Sequence, residues 1–126
     1  MLSRIYYLSH STMPDIYIGS TGSSLEMRLA NHRSCARSGG TSMIHSTMKD
    51  SDPDQWQITL IEEIIVNSSF ELKHIEQFWI DQIEPELNHY RASRQSRAEY
   101  HQQYHIAKRT VILERKRVFA LNKKKV

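Results

Sequence analysis

Two tyrosines, an arginine, a histidine and a glutamate stand where the surrounding pattern could turn polar groups inward. If residues 4–8 and 15–19 are the arms of a hairpin closed symmetrically by residues 9–14, Tyr6 falls opposite Tyr17. Cross-strand partners project from one face, so two phenols would stand side by side, although an aromatic ladder would look the same. Arg28 and His32, four apart, flank an apolar stripe of Leu25, Leu29 and Ala36. Glu76 lies inside the stripe formed by Leu72, Ile75, Trp79 and Ile83. A carboxylate there is costly to bury unless it is paired or binds a metal, and both an ion pair with Arg28 and a cation are open. Together these groups are the parts of phosphodiester cleavage. A hard divalent cation on the carboxylate polarises the phosphate. An arginine stabilises the charge of the pentavalent transition state. A phenol, with an ordinary pKa of about 10, can activate water only beside cationic neighbours.

The elements that must position these groups can be read from the chain. After the hairpin, Ser23 with Glu26 fits a capping box, which predicts a helix over residues 24–38 ended by Gly39-Gly40. A short second helix is expected over residues 41–49 and a turn over residues 50–54. Alternation then predicts a third strand over residues 56–65, and the helix carrying Glu76 runs over residues 69–83 to its stop at Pro85. From Ser93 the chain turns polar, basic and helix-favouring. The order β-β-α-α-β-α-α describes an α+β fold, a small sheet with helices packed on it.

The stretch IYIGSTGSS, residues 16–24, resembles a phosphate-cradling loop but lacks what such loops need. Gly22 is followed by Ser23-Ser24 rather than by Lys and a hydroxyl residue, and only Gly19 and Gly22 are present of the three glycines a dinucleotide fingerprint requires.

With 126 residues the chain is expected to form one domain with an appendage. Its single cysteine, Cys35, excludes an internal disulfide and suits a reducing compartment. Neither a membrane span nor a signal-peptide core is visible, so an intracellular, non-secreted protein is expected, in cytoplasm or nucleus. The net charge of +3 is unevenly spread: residues 1–91 carry −5 and residues 92–126 carry +8. An acidic body with a basic tail points to a polyanionic partner, nucleic acid above all.

The segments RIYYL, DIYIGST, LEMRLANHR, HIEQFWID and ELNHY, in that order, resemble the GIY-YIG nuclease domain over residues 1–91. The resemblance implies a three-stranded antiparallel sheet flanked by helices, with residues 92–126 as a basic helical extension. It also implies a DNA endonuclease using one divalent metal, Mg²⁺ or Mn²⁺. Matched position by position, Tyr6 and Tyr17 correspond to the signature tyrosines, Gly19 to the signature glycine, Arg28 to the family arginine and His32 to a histidine of many members. Glu76 corresponds to the metal-binding glutamate and Asn88 to an asparagine that organises the site. Tyr6, assisted by His32, would then serve as base, Arg28 would stabilise the phosphate and Tyr17 would position phosphate or water. Arg4 replaces the first signature glycine, on the strand face of Tyr6, where it could crowd the site. The alternative function is a nucleic-acid-binding module that uses the same fold and tail without cutting.

In the tail, Tyr100, Tyr104, Ala107, Val111, Val118 and Leu121 follow steps of three and four, interrupted by Glu114. That seam could dock on the body or pair two chains as a homodimer. Alternatively the segment could present Arg115, Lys116, Arg117, Lys123, Lys124 and Lys125 to DNA phosphates.

Overall fold

A computed structural model describes residues 1–88 and 115–119. Strands β1 (Leu2–His10), β2 (Ile16–Thr21) and β3 (Trp56–Ile65) form one antiparallel sheet in the order β2-β1-β3. Between β2 and β3 lie helices α1 (Leu25–Arg37) and α2 (Met43–Asp50) and a 3₁₀ turn, Pro53–Gln55. Helix α3 (Ser69–Ile83) follows β3. The α+β class and the three-stranded antiparallel sheet are as expected.

Because β1 is the central strand, both of its faces are buried, and its alternation sorts the molecule into two cores. Ile5 and Tyr7 face α3 and pack with Ile18, Ile61, Ile75, Phe78 and Trp79. Tyr6 and Leu8 face α1 and α2 and pack with Ala36, Ile44, Met48 and Trp56. The result is three layers, with a helical layer on each side of the sheet.

The hairpin register differs from the symmetric reading by two residues. Tyr6 pairs with Gly19, and Leu8 with Tyr17. β1 continues to His10, held by pairing with Trp56 and by a 2.9 Å contact between His10 Nε2 and the Ser51 carbonyl, so the reversal occupies residues 11–15. A slip of two keeps every side chain on its original face, so Tyr6 and Tyr17 still share one face, now diagonally placed. Helix α1 begins one residue later than the capping box predicts. Ser24 Oγ accepts from Met27 N, while Ser23 Oγ is engaged with Thr21 Oγ1 at 2.9 Å.

The third strand and the Glu76 helix have the predicted bounds. Ser68 caps α3 by accepting from Glu71 N, and Glu84, in the left-handed region at φ 54°, turns the chain ahead of Pro85. Between β1 and β3 the register jumps, so that Ile5 faces Glu62 while Tyr6 faces Leu60 and Ile61 is the extra residue of a bulge.

Residues 115–119 are helical. Phe119 is buried in the α3-side core, its ring edge-on to Tyr7 at 4.7 Å, and Arg115 Nη2 donates to the Ile61 carbonyl at 3.2 Å. Of the apolar tail seam only Val118 falls among the described residues, and it is half-buried. Tyr100, Tyr104, Ala107, Val111 and Leu121 lie outside them, as do Lys123, Lys124 and Lys125. The apolar side chain this segment commits is its neighbour, Phe119, which packs into the molecule's own core. A homodimer through this helix finds no support among the described residues. No helix among them is long and apolar enough to cross a membrane.

Candidate active site

The α1 stripe that packs on the sheet turns Arg28 and His32 toward β1. There they meet Tyr6, which is fully buried. Arg28 Nε donates to Tyr6 Oη at 3.0 Å, and Tyr6 Oη lies 2.7 Å from His32 Nε2. Tyr17 completes the cluster, its ring edge-on to His32 at 5.7 Å. The tyrosines, the arginine and the histidine are therefore brought together, His32 hydrogen-bonded to Tyr6 and edge-on to Tyr17.

Gly19 is required by close approach. A Cβ there would stand 2.6 Å from Tyr6 Cζ and closer still to its oxygen. Any other residue would displace the phenol or the strand. Arg4 does not crowd this space: its guanidinium is engaged with Glu63 at 3.1 Å and with the Ser23 carbonyl at 3.1 Å.

Burial pushes the Tyr6 phenol up to about 12, against the opposing charge and hydrogen bond of Arg28, with the Glu76 charge adding to the rise. Burial likewise pushes His32 down to about 3, with Arg28 and His45 lowering it further. The imidazole is thus neutral at physiological pH and available as a hydrogen-bond acceptor.

Glu76 stands on the other side of the sheet, on α3, and is buried. It does not pair with Arg28. Its Oε1 accepts from Ser20 Oγ at 2.6 Å and lies 3.6 Å from Lys73 Nζ. Ser20 follows Gly19 on β2 and faces the α3 side, as its pairing with Ile5 requires. Glu76 thus lies outside the Tyr6 hydrogen-bond network and is joined to it through the Gly19-Ser20 backbone. No group of three or more His, Cys, Asp or Glu able to hold a metal occurs among the described residues. Both Glu76 contacts fall on Oε1, which leaves Oε2 for a cation. A single carboxylate oxygen suits a divalent cation that keeps most of its waters better than it suits a resident structural metal.

Asn88 holds the β2 edge. Its Oδ1 accepts from Ile18 N and its Nδ2 donates to Ile18 O, both at 2.8 Å, so the side chain imitates a strand partner. Leu87 N extends the pairing to Ile16 O at 3.1 Å.

Sequence reasoning missed three residues. Ser20 and Lys73 both touch Glu76; the i, i+3 spacing of Lys73 was a legible signal, whereas nothing marked Ser20. The third is His45 on α2, whose Nε2 lies 3.0 Å from His32 Nδ1 and whose Nδ1 lies 2.9 Å from Ser42 Oγ. Gly40 permits that approach, since a Cβ there would stand 2.9 Å from the Cys35 carbonyl and 3.1 Å from His45. Of the proposed phosphate contacts, Lys116 and Arg117 are exposed while Arg115 is turned to Ile61.

Comparison with known proteins places the chain in a family. The model of the GIY-YIG catalytic domain matches residues 3–91. An uncharacterized protein, 019R, of Invertebrate iridescent virus 6 is 33% identical over 79 residues, covering 63% of this chain and 28% of its own length. Protein 146R of the same virus, named for an MSV199 domain, is 33% identical over 76 residues, covering 60% of this chain and 31% of its own. The chain thus spans about three tenths of the length of these curated relatives. No solved structure matches it. With the family match covering the whole sheet, α1, α2, α3 and the Asn88 clasp, the chain belongs to the GIY-YIG catalytic domain family, a family of nucleases.

Proposed function

We propose that this chain is a metal-dependent DNA endonuclease with Tyr6, Tyr17, Arg28, His32 and Glu76 as its working groups. The observation that carries this reading is the Tyr6 hydroxyl, clamped between Arg28 and His32 over a glycine that cannot bear a side chain. A buried phenol with two charge-tuned partners is costly to build and adds nothing a plain apolar core would lack.

In this reading Glu76 would hold Mg²⁺ or Mn²⁺, which would supply Lewis-acid stabilisation of the charge developing on the phosphate. Tyr6 takes the proton of the attacking water. Arg28, already bound to the phenol, lowers the cost of negative charge there and at the phosphate. Tyr17, half-buried beside His32, orients the phosphate or the water. Ser20 and Lys73 hold the Glu76 carboxylate in place. A single site of this kind nicks one strand at a time. DNA reaches the acidic body through the basic extension, with Lys116 and Arg117 exposed to meet phosphates.

The test is conversion of supercoiled plasmid in Mg²⁺, Mn²⁺ or EDTA by the wild type and by Glu76→Ala. Nicking that requires metal and falls to background in the variant is the expected result. DNA retention by both proteins with no cutting in any metal would establish a binding module instead.

A further inference from the structure

The contacts around Tyr6 do not stop at His32. Arg28 is permanently protonated, so the Tyr6 oxygen accepts from it, and the phenol's own proton is left for His32 Nε2 at 2.7 Å. A neutral imidazole that accepts at Nε2 carries its proton on Nδ1. That atom lies 3.0 Å from His45 Nε2. By the same rule His45 carries its proton on Nδ1, 2.9 Å from Ser42 Oγ. The four groups span β1, α1, α2 and the α2 cap, and they run from the fully buried Tyr6 to the half-buried His45 and Ser42.

We propose that Tyr6, His32, His45 and Ser42 form a proton relay that carries the proton of the attacking water out of the site, with His45 as its essential proton carrier. The proposal rests on the nuclease reading above. As the water oxygen bonds to phosphorus, its O–H bond breaks and a new O–H bond forms on Tyr6. The old Tyr6 proton moves to His32 Nε2, the His32 Nδ1 proton to His45 Nε2, and the His45 Nδ1 proton to Ser42 Oγ, whose own proton goes to solvent. The bond from phosphorus to the leaving sugar oxygen breaks, and that oxygen takes a proton from solvent. No imidazolium and no phenolate accumulates. This suits a phenol pushed up to about 12 and an imidazole pushed down to about 3, neither of which can store the charge. The groups facing the relay are Arg28 of α1, Tyr17 of β2 and, through its charge, Glu76 of α3; Cys35 of α1 acts on Arg28.

The experiment uses the full chain in the plasmid assay across a neutral to alkaline pH series, comparing wild type, His45→Ala and His45→Gln, with thermal melts as a folding check. His45→Ala is expected to slow nicking about 10²-fold, the lower range for a positioned proton-transfer group. Free imidazole should restore part of that rate in proportion to its neutral fraction, and His45→Gln should stay slow. A Gln variant at the wild-type rate would show that a hydrogen bond to His32 suffices, and the relay would be wrong; His45→Ala at the wild-type rate would also overturn it. If the wild type cuts nothing in any metal, the nuclease reading falls and takes the relay with it. Imidazole ¹⁵N spectra of the wild type give a readout independent of cutting and of variant folding. His32 and His45 must both carry their protons on Nδ1, and an Nε2–H tautomer at either would overturn the relay.

Discussion

At the scale of single residues, the cost of the site is concentrated in His32. Its folded pKa of about 3 lies below the ordinary value of 6.5, chiefly because it is buried. Between those values the unfolded chain binds a proton there that the folded chain does not. Stability from this group is therefore fully present above pH 6.5 and is lost as pH falls through the window, at up to about 1.4 kcal/mol per pH unit. Burial also lowers His45, which acts in the same direction. Urea unfolding at pH 7 and pH 5 should differ by about 2 kcal/mol, and His32→Asn should remove most of that difference. An equal difference in the variant would assign the pH dependence elsewhere. The sequence displayed Tyr6, Arg28, His32 and Glu76 because each sits at a spacing that its own helix or strand makes visible. His45 and Ser20 were invisible for the opposite reason: each gains its meaning from an element that folds against it from elsewhere in the chain.

At the scale of elements, legibility followed the strength of local signals. β3 and α3 have the expected bounds because alternation marks one and a Ser cap and Pro85 mark the other. The hairpin register failed because the symmetric-loop assumption ignored the long-range partners of His10, Trp56 and the Ser51 carbonyl, which draw β1 out by two residues. β2 is the edge strand that carries Tyr17, Gly19 and Ser20, and one amide clasps it. Asn88→Ala removes two hydrogen bonds to Ile18 and leaves its N–H and C=O without a strand partner. The expected loss is about 2 kcal/mol from the denaturation midpoint, near 1 kcal/mol per bond. Hydrogen exchange at the Ile18 amide should accelerate more than at Tyr7. Asn88→Asp, which keeps the acceptor for Ile18 N–H but loses the donor, should fall between; if it matches the alanine variant, the clasp depends on the donor half alone.

At the scale of the whole molecule, the charge separation along the chain meets a physical tie between its two parts. The body is acidic and the extension basic, yet residues 115–119 are fastened to the body by Phe119 in the α3-side core and by Arg115 on Ile61. The bulge at Ile61 interrupts regular pairing with β1, and Arg115 takes up the carbonyl there. This division of labour separates anchoring from charge. Phe119→Ala should cost about 3 kcal/mol or more of global stability through the cavity it leaves beside Tyr7. Lys116→Glu with Arg117→Glu should leave the melting temperature unchanged, because both side chains are exposed. If the two cations meet phosphates, the same double variant should reduce the slope of log affinity against log salt by about 2, near 0.9 for each phosphate no longer neutralised. Weaker DNA binding in Phe119→Ala under conditions where the body stays folded would mean that the anchor sets where the charges stand. Unchanged binding there, with the slope still lowered by the charge variant, would mean that the cations act wherever the chain carries them and that docking serves stability alone.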